Sequence, residues 1–167
     1  MPKITPTLTL TSKKHSTASD AGPTTSPIVI SVTDSLDITE VRQKVVDVSD
    51  DHLVLFPNAQ SDVGGSNIVT YSDGTNVAGT DGGFVFLRNL TEGASTTVDI
   101  YIGHGAAGAL EEDGGSQTLR LMTLKPGEFS FFAWDLEQPL IVDSNAAADV
   151  VVTGALEAYL FIRTGSE

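Results

Sequence analysis

Leu156-Glu157-Ala158-Tyr159-Leu160-Phe161-Ile162-Arg163 is the stretch on which the fold class turns. Leu156, Ala158, Leu160 and Ile162 occupy one parity, and Glu157, Tyr159, Phe161 and Arg163 the other. Successive side chains of a β-strand point to opposite faces, so this alternation is the two-residue period of a half-buried strand. The same period recurs upstream. Ile28, Ile30 and Val32 alternate, and Phe84, Phe86 and Leu90 share one face with Val85 and Leu87 on the other. Val98, Ile100 and Ile102 alternate with Thr97, Asp99 and Tyr101, and Leu119 and Leu121 with Thr118, Arg120 and Met122. Phe129, Phe131 and Ala133 alternate with Ser130, Phe132 and Trp134. Turn signals separate the runs at Asp81-Gly82-Gly83, Asp113-Gly114-Gly115 and Lys125-Pro126-Gly127. The last suits a type II turn, with proline setting φ and glycine taking a positive φ.

One segment carries both periods. In residues 37–48, Ile38, Val41, Val45 and Val48 have helical spacing, and Asp37 with Glu40 would form a cap. Five of these twelve residues are Val or Ile and one is Thr, side chains that are stiff at χ1 and disfavour helices. The reading adopted is a strand over roughly 39–48. The sum of these patterns is an all-β chain: one antiparallel β-sandwich of about eight strands, of jelly-roll or related Greek-key type.

The 167 residues suffice for one ordinary domain. With 40% hydrophobic and 19% charged residues the composition is globular. No cysteine is present, which removes a disulfide framework, a thiolate zinc site and a cysteine nucleophile. The net charge is −13. A body this acidic argues against binding nucleic acid through its phosphates and against an anionic membrane surface.

That charge is unevenly spread. Residues 1–30 hold Lys3, Lys13 and Lys14 against Asp20, a net +2, so residues 31–167 sum to −15. Residues 11–27 form a polar Ser/Thr/Pro stretch with nothing to bury. The expected organisation is therefore an extended N-terminal arm over 1–27 and a sandwich domain over 28–167. The arm's lysines are candidate contacts to the acidic body of a neighbouring subunit, and solubilising charges are the plainer alternative. Ile4 to Leu10 alternate around Pro6 and do not resemble an export signal, and no run of 18 or more apolar residues spans a membrane. Synthesis in a cytoplasm is the expectation. Asn89-Leu90-Thr91 matches a glycosylation sequon, read as a chance match in that context.

Motifs for chemistry lack their contexts. Gly103-His104-Gly105-Ala106-Ala107-Gly108 is a literal G-x-G-x-x-G after a strand, but only Ala109–Asp113 follow before Gly114-Gly115, too few for the phosphate-facing helix. His15, His52 and His104 form no metal-ligand spacing, and no serine sits in G-x-S-x-G. Glu111-Glu112-Asp113, Asp50-Asp51 and Asp73-Gly74-Thr75-Asn76 offer hard oxygens, yet none matches a calcium loop, and solvated turn carboxylates are the simpler account. The glycine-rich loops 57–83 and 103–117 are where a working surface is expected. Trp134, the single tryptophan, reads as a core or protein-interface residue ahead of a sugar platform. No catalytic, cofactor or metal residue is assigned. The candidate protein-interface residues are Lys3, Lys13, Lys14 and Trp134.

Taken in order, the Thr-rich N-terminal segment, Gly83-Phe84-Val85-Phe86-Leu87-Arg88-Asn89-Leu90, Val98-Asp99-Ile100-Tyr101-Ile102-Gly103, Leu124-Lys125-Pro126-Gly127-Glu128-Phe129, Ala133-Trp134-Asp135 and residues 156–162 form a recognisable series. Over roughly Phe84 to Arg163 it resembles the small β-sandwich virion proteins of tailed bacteriophages, particularly those of marine and cyanobacterial phages. The resemblance implies a non-enzymatic structural role without cofactor. The implied role is a decoration (cement) protein on the capsid surface of the virion. It would bind the outside of the capsid and stabilise contacts between major capsid subunits. The implied partners are the major capsid protein and copies of the chain itself, as a dimer or trimer. The alternative is a tail or fibre module recognising host-surface glycans.

Overall fold

The computed structural model describes residues 3–5, 7–11, 29–33, 36–49, 53–57, 82–91, 98–104, 119–135, 138–145 and 154–163. All regular structure among them is β. The chain divides into two units, Met1–Ile38 and Thr39–Glu167.

In the first unit β1 (Lys3–Ile4) pairs antiparallel with the start of β4 (Leu36–Val48), Lys3 opposite Asp37 and Ile4 opposite Leu36. β2 (Thr7–Thr11) pairs antiparallel with β3 (Val29–Thr33), from Thr7 opposite Thr33 to Thr11 opposite Val29. The strand expected from residue 28 is thus paired within the first unit. It completes the N-terminal unit, because its backbone groups pair with β2 and an isolated strand has no partner for them.

The second unit is a pair of four-stranded sheets. β4, β11 (Gly154–Arg163), β6 (Gly83–Asn89) and β9 (Phe129–Trp134) are neighbours in that order in one. β5 (Leu53–Phe56), β10 (Leu140–Ser144), β7 (Ile100–His104) and β8 (Leu119–Leu124) form the other. First pairs with last throughout: β4 with β11, β5 with β10, β6 with β9 and β7 with β8. One long ribbon of nested pairs, folded so that successive pairs fall in alternate sheets, is the double Greek-key jelly roll. The segment with mixed periods is part of this ribbon. Residues 39–48 are strand, so the β-branched side chains outweighed the helical spacing.

All eight strands of this unit line the core between the sheets, with Leu55, Leu87, Ile100, Ile102, Leu156, Leu160 and Ile162 fully buried. Each such side chain contributes about 1.5–3 kcal/mol through burial. Leu55 and Phe56 are consecutive yet both point inward, because the β5–β10 register slips between Leu140 and Ile141. Trp134 is 9% exposed and lies tilted on Phe56, ring centroids 6.3 Å apart. As the inward residue ending β9 it fills the core, one of the two places expected for it from the sequence. The Lys125–Glu128 turn forms as expected, with φ of 79° at Gly127 and the Glu128 N–H donating to the Lys125 carbonyl at 2.9 Å.

Side chains also tie the sheets together. Lys44 of β4 donates from Nζ to the Leu55 carbonyl at 2.8 Å and sits 5.2 Å from the Phe56 ring centroid. Burial, then the nearby Arg42 charge, lowers its pKa. Asn89, at the end of β6 and 0% exposed, donates from Nδ2 to the carbonyls of Val98 and Leu124, each at 2.9 Å, and accepts the Thr91 N–H at Oδ1. It bridges one sheet to the other at one end of the sandwich. The sequon therefore has no accessible amide in the folded chain.

Candidate functional site

The most conspicuous surface of the second unit is the outer face of the β4-β11-β6-β9 sheet. Alternation sends Val85, Leu87, Leu160 and Ile162 to the core, so their neighbours Phe84, Phe86, Tyr159 and Phe161 face outward. On β9 the outward residues are Phe129, Phe131 and Ala133, and on β4 they include Val41 and Val45. Phe129 is 58% exposed, Phe131 43%, Val45 61% and Val41 45%, which marks this face as apolar and open. Five of the seven phenylalanines of the chain stand on it.

The rings form a continuous ladder. Phe84 stacks on Phe131 at 5.6 Å between centroids, and Phe86 on Phe129 at 6.0 Å. Phe86 meets Tyr159 edge-on at 5.9 Å, Phe131 meets Phe161 edge-on at 6.3 Å, and Tyr159 stacks on Phe161 at 6.1 Å. Register explains the diagonals: Phe86 stands opposite Phe131 and Tyr159, and Phe84 opposite Ala133 and Phe161. The small Ala133 leaves the Phe84 ring room to lean toward Phe131. Aromatic pairs of this kind contribute about 0.5–1.5 kcal/mol each beyond area burial. The ladder therefore presents a stiff surface.

Polar groups border the rings. The Tyr159 hydroxyl donates to Glu157 Oε1 at 3.0 Å and accepts from Gln43 Nε2 at 2.8 Å. The Arg163 guanidinium lies 4.4 Å from the centroid of Phe84. The Glu157 hydrogen bond, followed by desolvation, raises the Tyr159 pKa above 10.0. A raised folded value means that the contribution to stability is complete below the ordinary pKa and is lost as pH rises through the folded one. Ultraviolet titration of the phenolate should show Tyr159 ionising above its ordinary value, and Glu157→Gln should bring it down. An unchanged titration in Glu157→Gln would count against the hydrogen bond as the cause.

Of the residues proposed from sequence, Lys3 lies in β1 opposite Asp37. Lys13 and Lys14, His15 and His52, the acidic runs at 50–51, 73–76 and 111–113, and residues 58–81 and 105–117 of the two glycine-rich loops lie outside the described residues. His104 ends β7 opposite Leu119 and Leu140. Among the described residues no three His, Asp or Glu side chains come together as metal ligands. Sequence reasoning placed the working surface in the loops and missed the outer sheet face. The available signal was that β6 and β9 carry large apolar side chains on both parities, and β11 carries Tyr159 and Phe161 on its more polar one, which a sheet with one solvated face does not require. Comparison of the chain with family models, with curated proteins and with solved structures returns no significant match.

Proposed function

We propose that this chain is a non-enzymatic virion structural protein of a tailed bacteriophage. Its role is that of a decoration protein that binds the outside of the capsid and stabilises contacts between major capsid subunits. The observation that carries the reading is the wiring of the second unit, β4-β11-β6-β9 over β5-β10-β7-β8. Double-sheet jelly rolls of this kind are used by capsid and lectin domains and by cupins. The sequence resemblance and the basic N-terminal segment on an acidic body favour the first of these. A cupin reaction needs clustered metal ligands, and no such cluster supports it among the described residues.

Docking through the basic segment gives a direct test. Changing Lys3, Lys13 and Lys14 together to Glu in the full chain should weaken attachment to capsids and flatten its dependence on salt, because exposed charges are screened. Normal capsid occupancy by the triple variant, with an unchanged salt response, would remove the lysines from the docking mechanism. Immunogold labelling of virions tests the role itself: label over the capsid shell is expected. Label at the tail tip together with signals on a glycan array would instead favour a host-recognition module, a reading to which the exposed rings lend some support as sugar-stacking surfaces.

A further inference from the structure

We infer that the outer face of the β4-β11-β6-β9 sheet is a homodimer interface. Two copies pack these faces together about a two-fold axis that crosses β11 between Tyr159 and Phe161. Arg163 of each copy then pairs with Glu157 of the other. The inference stands independently of capsid binding, since it concerns the isolated protein.

Charge is the first argument. Two bodies of net charge −13 repel. In the second unit the outward charged residues of the strands of this face are Asp47, Arg88, Glu157 and Arg163, which sum to zero, while Asp37, also exposed on β4, belongs to the first unit. An acidic copy can approach here without meeting a field of its own sign. The row along β11 is also self-complementary. Glu157 and Arg163 stand at its ends with Tyr159 and Phe161 between them. A two-fold axis perpendicular to the strand reverses this row onto itself and brings opposite charges together at both ends.

Shape follows from register. Leu160, Val85 and Phe132 share one row across β11, β6 and β9. Reversal about that row sets Phe84 against Phe86 of the second copy, and the large Phe131 against the small Ala133. A protruding ring facing a gap in both directions is what an isologous interface requires.

Area is sufficient. Four strands about 4.8 Å apart, each offering outward side chains over roughly 25 Å, cover on the order of 500 Å². Two such faces bury roughly 1,000 Å² in total, the size at which a specific interface becomes expected. Phe129, Phe131, Val41 and Val45 are four of the eight exposed large hydrophobic side chains among the described residues, the other four lying on β5 and β8 of the other sheet.

Sedimentation velocity on the full-length protein tests the inference. The wild type should sediment as twice the 17.5 kDa chain mass. Phe131→Glu should raise the dissociation constant by about 30-fold or more, as expected for a central aromatic anchor. The position is exposed, so circular dichroism should show an intact fold. Glu157→Arg and Arg163→Glu should each weaken the dimer, and the double swap should restore it. A wild type that stays monomeric at about 100 μM, where even a weak dimer is populated, overturns the inference. So does a trimer or larger ring, a dimer indifferent to Phe131→Glu, or a double swap no better than the single ones.

Discussion

Replacing Asn89 with leucine is expected to lower the unfolding free energy by about 4 kcal/mol, because two buried carbonyls and one part-buried N–H lose their partner at about 1–3 kcal/mol each, less what the apolar side chain recovers. The carbonyls of Val98 and Leu124 and the N–H of Thr91 all end on this one amide. Asn89 belongs to β6 in one sheet, whereas Leu124 ends β8 in the other and Val98 leads into β7. The substitution thus removes a bracket between the layers as well as hydrogen bonds. For a domain of this size the melting temperature should fall by roughly 10 °C. Asn89→Asp separates the causes. Its carboxylate would face two carbonyl oxygens, so at neutral pH it should be at least as damaging as leucine. At acid pH a protonated carboxyl regains one donor, and part of the loss should return relative to the wild type at the same pH. Urea unfolding of both variants at two pH values measures this. A leucine variant within about 1 kcal/mol of wild type would show that the bracket does not hold the sheets together.

Gly83→Val should cost about 3 kcal/mol, toward the upper end of overpacking effects. A Cβ at this position meets the Phe161 carbonyl oxygen at 2.7 Å and Leu160 Cδ1 at 3.4 Å. The obstacle is backbone, which cannot swing aside as a side chain can. Nor can β6 slide away, since Gly83 is held opposite Ile162 of β11 on one side and Trp134 of β9 on the other. Gly127 is the informative contrast. Its φ is 79°, but nothing lies within 4 Å of an added Cβ. Gly127→Ala should therefore cost only about 1 kcal/mol, from backbone conformation alone. Thermal unfolding of the pair should rank Gly83→Val well below Gly127→Ala. Equal losses would mean that the β6–β11 contact relaxes freely. Because Phe161 also carries part of the ring ladder, Gly83→Val should weaken self-association too, which Gly127→Ala should not.

The strands and turns of the second unit were legible in the residues. Period-two runs at 84–90, 98–102, 119–122, 129–134 and 156–163 all fall on observed strands or their ends. The β-branched content of residues 39–48 decided correctly between strand and helix. Pro126-Gly127 produced the turn its chemistry demands. These are local properties: each depends on a few neighbouring side chains and the φ/ψ values they allow.

Which side of β6 and β9 faces inward was not local. Alternation specifies two faces, and on β6 and β9 both parities carry enough apolar bulk to face the core, whereas β11, with Glu157 and Arg163 on one parity, favours a single choice. The decision came from non-local pairing. β6 lies between β11 and β9, and the opposing sheet fills the gap of about 10 Å with its own side chains. That placed Trp134 inside and five phenylalanines outside. Pairing likewise joined 29–33 to β2. It also turned Asn89 from a sequon residue into a structural bracket. The sequence by itself determined an all-β chain with strands and turns in known places, because those follow from short-range sterics. Only the tertiary structure decided the nested jelly-roll pairing and the aromatic face, because both depend on what stands opposite each strand, a relation between residues far apart in the chain.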